Sequence, residues 1–315
     1  MAGNQGFWFS TSGFSLEEGF VCDRPVRNIA VIAHVDHGKT TLVDQLLRQA
    51  GQTFEYERAM DSNDLEKERG ITILSKCTSF EWGSEEDGKF LRPMAPTLFN
   101  IVDTPGHADF GGEVERVLSM VDGVMLVVDA AEGPMPQTKF VLGKALAKKL
   151  PAVIVVNKVD KPHARLGEVE DEVLELLMAL DAEEEQLDSP FVYASAKEGW
   201  AAEEPEGGSD ILPLLRVLRE HIPPPRILGG PDADFRMLVT QSAVDPFLGK
   251  LVSGKVSAGT VKVGDPLIAL TRTGEALDQG QVTKVFRRRG LEQVVLDVAE
   301  AGDIVQVNRS HCFVN

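Results

Sequence analysis

The chain has 315 residues, 43% of them hydrophobic and 26% charged, which suggests two domains with their own cores and argues against a disordered chain. Its formal net charge of -17 at pH 7 excludes generic, charge-driven binding of nucleic acid: DNA is not expected as a partner, and any RNA must be met through a local surface. The longest apolar stretches, near 124–128 and 152–156, are too short to span a bilayer, so no membrane partner is expected.

In chain order, residues 1–24 show no clear periodicity and read as a flexible leader. They lack the basic-then-apolar pattern of a secretory signal, and they carry Glu17, Glu18 and Asp23 without Arg, a poor match to a transit peptide. From residue 25 the runs 29–33, 98–102, 124–128, 152–156 and 191–194 look like strands buried on both faces. Leu42, Leu46, Leu47 and Ala50 follow helical spacing between them, as do Val114, Val117, Leu118 and Val121, then Val169, Val173, Leu176, Leu177 and Leu180, then Ile211, Leu214, Leu215 and Leu218. Alternating strand and helix predicts an α/β domain with a mostly parallel sheet covered on both faces. Residues 73–82 follow no helix and are expected to pair antiparallel with the 98–102 strand, across a long connection at 83–97. Acidic clusters at 168–175 and 181–188 read as a solvated helix face and its exit loop.

The α/β domain is expected over 25–225, ending at Pro223-Pro224-Pro225, with a stiff linker over 226–233 that includes Gly229-Gly230-Pro231. Short alternating segments follow at 235–242, 250–256, 267–270, 281–285 and 303–307, punctuated by Gly-containing turns, and predict a small β-barrel over 234–307. Arg287-Arg288-Arg289 is the one dense basic spot and reads as a solvated turn ahead of an RNA-phosphate contact. Three cysteines, Cys22, Cys77 and Cys312, have no CxxC spacing and point to a reducing compartment without structural disulfides. A soluble chain in the cytoplasm is expected, with a plastid or mitochondrial interior left open.

Chemistry concentrates at the ends of the strands. Ala33-His34-Val35-Asp36-His37-Gly38-Lys39-Thr40-Thr41 follows a strand and opens a helix, the context of a phosphate loop. Its backbone N–H groups and the helix N-terminus can cradle a β-phosphate, Lys39 would bridge β- and γ-phosphates, and the Thr40 hydroxyl would bind Mg²⁺. His34 and His37 are spaced for a metal, yet no Cys or carboxylate cluster completes such a site. Asp103-Thr104-Pro105-Gly106 ends the next strand: Asp103 can hold Mg²⁺ through a water, and the Gly106 amide can sense the γ-phosphate. Alone, that run is an ordinary turn.

Asn157-Lys158-Val159-Asp160 ends the 152–156 strand. A carboxylate there accepts both N1–H and the exocyclic N2–H₂ of guanine; adenine lacks that donor pair and would leave Asp160 unpaired at about 1–3 kcal/mol. Asn157 can tie this loop to the phosphate loop, and Lys158 can lie over the base. Ser195-Ala196-Lys197 can offer backbone N–H to guanine O6. Within Arg69-Gly70-Ile71-Thr72-Ile73, Thr72 could coordinate Mg²⁺ and touch the γ-phosphate only while GTP is present, making the segment a switch. His107 follows the Asp-Thr-Pro-Gly turn; its chemistry fits a water-positioning residue as well as it fits a surface histidine.

With these elements in this order the chain resembles the translational GTPases, and within them the ribosome-associated BipA/TypA family. The resemblance rests on 60–73 (MDSNDLEKERGITI), 103–122 (DTPGHADFGGEVERVLSMVD) and 133–138 (GPMPQT), and covers about 27–307. Elongation factor G and LepA share the shorter motifs but differ around Gly111-Gly112 and Pro134-Met135-Pro136. The resemblance implies a P-loop NTPase G domain followed by a β-barrel domain, with Ala33 at the head of the phosphate loop as in that group. It implies His107 as the water-orienting catalytic residue acting with Lys39 and Thr72, Val35 and Ile71 as an apolar gate, and Asp36 as a phosphate ligand, with or without a monovalent cation. It also implies a protein that meets the RNA and proteins of the ribosome, with roles in ribosome assembly and in stress or cold responses; a monomer is expected. The 83–97 insert is longer than the family's usual link, and the tail 308–315 does not match it, which suggests a truncated or alternatively terminated product.

The leading expectation is Mg²⁺-dependent hydrolysis of GTP, with GTP/GDP and Mg²⁺ as ligands and stimulation by ribosomes. The alternative is a GTP/GDP-sensing fragment that hardly turns over because ribosome-gripping domains are missing. An ATP-using P-loop enzyme is disfavoured by Asp160.

Overall fold

The computed structural model describes residues 7–11, 19–51, 76–83, 96–104, 111–229, 233–245, 247–271, 273–290 and 292–310. The chain divides into two compact units, Arg27–Pro223 and a second made of Met1–Val26 with Pro224–Asn315. Two short strands open it, β1 (Phe7–Ser10) and β2 (Gly19–Val21), both in the second unit.

The larger unit runs β3 (Val26–Ala33), α1 (Lys39–Gln49), β4 (Cys77–Trp82), β5 (Thr97–Asp103), α2 (Gly111–Leu118), β6 (Gly123–Asp129), α3 (Pro136–Ala147), β7 (Ala152–Asn157), α4 (Leu166–Ala179), α5 (Glu184–Leu187), β8 (Phe191–Ser195), β9 (Trp200–Ala202) and α6 (Leu212–His221). Its strands are ordered β4-β5-β3-β6-β7-β8-β9. The pairs β3–β6, β6–β7 and β7–β8 are parallel, whereas β4–β5 and β8–β9 are antiparallel. The expected antiparallel partner of the 98–102 strand is thus present over Cys77–Trp82, with Cys77 opposite Val102; the rest of that expected run, 73–75, and 84–95 of the insert lie outside the described residues.

Continuous apolar runs make β6 and β7 buried along their whole length, as strands covered on both faces require. One face carries Ile29, Val31, Met125, Val127, Val153 and Val155 against Leu42, Leu46 and Leu47 of α1 and Leu214, Leu215 and Leu218 of α6. The alternate residues Ala30, Ile32, Val124, Leu126, Ile154 and Val156 are equally buried, so the opposite face is covered as well. Helix α3 was not expected from spacing. Its apolar side chains Val141, Leu142, Ala145 and Leu146 are buried, while Phe140 at the start stays partly exposed and breaks the pattern. Pro136 at its first position was the available signal, since the missing N–H would have no partner there.

The second unit continues with β10 (Arg226–Leu228), β11 (Arg236–Asp245), β12 (Gly249–Ala258), β13 (Thr260–Lys262), β14 (Pro266–Leu270), β15 (Ala276–Arg289), β16 (Glu292–Leu296), β17 (Val298–Glu300) and β18 (Ile304–Arg309). Its main path is β14-β1-β11-β12-β18-β15, and β15 also pairs with β14, which closes the ring into a barrel. Phe9, Phe235, Met237, Val252, Val256, Val285 and Val307 fill it.

Three expectations are corrected here. The supposed flexible leader supplies a barrel strand: β1 lies antiparallel between β11 and β14, with Phe9 opposite Met237 and Ala269. Phe9 is completely buried and the Arg309 guanidinium lies 5.3 Å from its ring centre. Four residues are too few to show a period of two, and their partners lie more than 200 positions downstream, so the segment carried no local signal. Part of the expected linker is also a strand, since β10 pairs with β2 and the Cys22 N–H donates to the Pro225 carbonyl at 2.8 Å. Arg24 adds ion pairs to Glu300 at 3.0 Å and Asp303 at 3.1 Å. Finally, Arg287 to Arg289 end a strand instead of forming a turn, and Arg287 pairs at 2.9 Å with the buried Asp303. Strand β18 also runs on through Asn308 and Arg309, the start of the tail. Cys22 and Cys77 are unbridged, and no described helix is long and apolar enough to cross a membrane.

Candidate nucleotide site

Strand β3 ends at Ala33, the chain loops through His34 to Gly38, and α1 begins at Lys39. Gly38 has φ 90°, a left-handed value that suits glycine, and a Cβ there would run into the Asn157 side-chain amide. Helix α1 has no side-chain cap and no acidic residue in its first turn. Its leading N–H groups and the positive end of its dipole are thus suited to an anion.

The Lys39 ammonium lies 2.5 Å from Asp103 Oδ1 and donates to the Thr104 carbonyl at 2.8 Å. The Thr104 hydroxyl in turn donates to the Val31 carbonyl at 2.6 Å, fastening the end of β5 to β3. A cation and a carboxylate therefore meet at the carboxyl ends of two sheet strands, where open α/β sheets bind ligands. Thr40 is half-buried beside them and Thr41 is exposed. The Thr40 hydroxyl and the Asp103 carboxylate are hard oxygen donors. Among the described residues no group of three or more His, Cys, Asp or Glu could hold a metal. That set fits Mg²⁺, which keeps several waters and takes phosphate oxygens, and does not form an all-protein cage.

Asn157 ends β7 and is almost fully buried. Its Nδ2 donates to the His37 carbonyl at 2.9 Å, and its Oδ1 accepts the Ala196 N–H at 3.0 Å. One amide thereby ties the phosphate loop, its own loop and the Ser195–Lys197 turn together. Of the Ser195–Lys197 backbone N–H groups, expected as a set to face guanine O6, that of Ala196 is engaged by Asn157. Ser195 is buried and its hydroxyl accepts the Glu198 N–H at 3.3 Å; Lys197 is exposed. The Val159 N–H donates to the Ala194 carbonyl at 3.3 Å, and Asp160 stands exposed on this loop.

Two features escaped the sequence. Asp129, at the end of β6, is fully buried and takes the Lys158 ammonium at 2.7 Å, the Lys161 ammonium at 3.3 Å and the Ala131 N–H at 2.7 Å. Burial works to raise its pKa, but the Lys158 hydrogen bond, the Ala131 N–H and the two positive charges prevail and hold it at about 2. The available signal was a single acid closing the apolar run 124–128. Second, the His37 side chain is internal: Nδ1 accepts the Asp129 N–H at 3.3 Å and Nε2 lies 3.4 Å from the Glu132 carboxylate. Burial, with the neighbouring His34 charge, lowers its pKa and keeps it neutral. His37 can therefore serve a nucleotide only through its backbone.

Asp36 has φ 63°, is exposed, and its carbonyl accepts the Lys158 ammonium at 2.5 Å; Val35 is half-buried. Ile71, Thr72, Gly106 and His107 lie outside the described residues.

Residues 24–224 match the sequence profile described as the elongation factor Tu GTP binding domain. The chain is 49% identical over 291 residues to the Large ribosomal subunit assembly factor BipA of Haemophilus influenzae. It is 50% identical over 289 residues to the proteins of that name from Escherichia coli K12 and Bacillus subtilis. Each alignment covers 90% of this chain and 45% of the relative, so the chain spans a little under half the length of these relatives.

Proposed function

The chain belongs to the elongation factor Tu GTP binding domain family, and from that premise we propose that it binds guanine nucleotide with Mg²⁺ and hydrolyses GTP to GDP and phosphate. The observation that carries this is the convergence of Lys39, Asp103 and the Asn157-tethered Asp160 loop on one edge of the sheet.

Lys39 would exchange its contact with Asp103 for the β- and γ-phosphates, and the N–H groups opening α1 would neutralise the rest of the charge. Thr40, Asp103 and Thr72 would hold the magnesium ion, which would supply positive charge against the charge developing on the phosphate. Asp160 would accept N1–H and N2–H₂ of guanine and so reject adenine. His107 would orient the attacking water; its oxygen bonds to the γ-phosphorus as the bond to the β–γ bridging oxygen breaks, and GDP leaves. Gly106 would report the γ-phosphate through its N–H.

The names of the relatives support action on the ribosome, with its large subunit as the object. For a GTPase activated in trans, acceleration of roughly 10³–10⁵-fold is the expected scale. A polypeptide of these 315 residues is expected to be stimulated less than a full-length relative. GTP/GDP sensing with little turnover is the second reading, which the same test separates from the first.

The test is turnover of GTP and of ATP, each with and without Mg²⁺ and ribosomes. GTP-selective, magnesium-dependent phosphate release supports the proposal; preference for ATP, or indifference to both nucleotides, overturns it. His107→Ala should keep GTP affinity while losing stimulated turnover, and normal turnover in that variant removes His107 from the mechanism.

A further inference from the structure

Parallel pairing of β6 with β7 sets Asp129 level with Asn157. The register brings a buried carboxylate under the loop that follows Asn157, and two ammonium groups converge on it, Lys158 at 2.7 Å and Lys161 at 3.3 Å. The same Lys158 ammonium also reaches the Asp36 carbonyl of the phosphate loop. Asp36 and Lys158 both hold left-handed backbone, at φ 63° and 65°, a state that non-glycine residues keep only where their surroundings over-determine it. Asp129 also fixes the 129–133 turn by accepting the Ala131 N–H, and donates its own N–H to His37 Nδ1. One residue, through its carboxylate and its backbone N–H, thus joins three loops of the site.

We propose that Asp129 is a positioning residue for guanine recognition: it anchors the Lys158 and Lys161 ammonium groups beneath the loop and so keeps Asp160 available to the base. This rests on the guanine-nucleotide reading above. Asp160 is exposed and lies between these two lysines in sequence, two positions after one and next to the other. Both lysines carry flexible stems, and a lysine without a fixed partner turns to the nearest carboxylate. With its charge neutralised, Asp160 no longer draws the N1–H and N2–H₂ donors strongly. Anchoring also stretches the Lys158 stem into a fixed platform. In guanine recognition Asp129 acts through these lysines, and it touches no nucleotide itself.

The test uses the full chain with Mg²⁺ and compares affinities for GDP and for inosine diphosphate, which lacks the exocyclic amine that Asp160 would read. Asp129→Asn keeps the shape and removes the charge. GDP affinity should fall about tenfold, inosine diphosphate affinity should fall less, and their ratio should shrink. Adding Asp129→Asn to Lys158→Gln should cost less than adding it to the unmodified chain. An equal fall for both nucleotides, additive with Lys158→Gln, or no fall at all, overturns the proposal. Should Asp129→Asn not fold, Lys158→Gln alone decides. It should weaken both nucleotides equally, because the platform is lost while Asp160 stays unmasked, and a shrunken ratio there contradicts the idea. An unmodified chain that ignores guanine nucleotides sinks the parent reading too, whereas normal binding with an unaffected variant sinks only this one.

Discussion

In the larger unit the parallel strands are joined by helical crossovers, and β6 finds β7 just beyond α3. In the smaller unit the ring closes with β1, where Phe7 sits opposite Val239 and Trp8 opposite Leu270. The difference is one of contact distance along the chain. Nearby partners leave their mark as periodicity within each segment, whereas a strand recruited from far away needs only the right four side chains. The two units therefore stake their stability differently, one on several buried apolar runs and the other on a ring in which a four-residue strand lies between β11 and β14.

The largest expected effect breaks the weaker closure. Phe9→Ala removes a fully buried ring from the barrel core and should cost about 3–5 kcal/mol in that unit. Hydrogen exchange should quicken at β11 and β14, with GDP affinity as the control for the other unit. Unchanged protection would show that β1 is dispensable. Next, Asn157→Ala strands the His37 carbonyl and the Ala196 N–H, both made to one buried amide. A loss of about 2–4 kcal/mol in the larger unit is expected, read from urea midpoints, and a loss below half a kcal/mol counts against the three-loop tie. Gly38→Ala should follow at about 1–3 kcal/mol, because it combines left-handed backbone with a collision against Asn157; full nucleotide affinity in that variant contradicts the constraint.

The smallest effect concerns pH. His37 is held neutral, its pKa lowered by burial and by His34, with the Asp129 and Glu132 charges opposing. Between its folded pKa and the ordinary value near 6.5 the unfolded chain binds the extra proton. This contribution is therefore full above about pH 6.5 and shrinks as pH falls toward the folded value. Asp129 works in a lower window: its carboxylate stabilises the fold above the ordinary aspartate value of 3.8 and loses that contribution as pH falls through about 2. Urea midpoints of the larger unit should decline gently below pH 6.5, where His221, also lowered by burial, adds to the effect, and His37→Gln should lessen that first decline. A flat profile in the unmodified chain removes His37 from the account.

Much of the larger unit was legible because its strands are buried on both faces and its motifs sit where strands end. Lys39 opens the helix after β3 and Asp103 ends β5, where the two meet, and the Asn157 amide reaches the His37 carbonyl of the phosphate loop. Helix α3 was not legible, since Phe140 interrupts the stripe that Val141, Leu142, Ala145 and Leu146 complete. The engagement of the Ala196 N–H by Asn157 was not legible either, because it depends on which of two acceptors a turn happens to face.

The sequence by itself determined the alternation of strand and helix, the later change to short alternating strands, and the residue types at each strand end, because side-chain periodicity and turn chemistry are properties of neighbouring residues. Only the tertiary structure decided that Phe7–Ser10 would close the barrel and that Asp129 would meet Lys158. Both depend on strand register, which is fixed by packing across the sheet, where residues far apart in the chain become nearest neighbours.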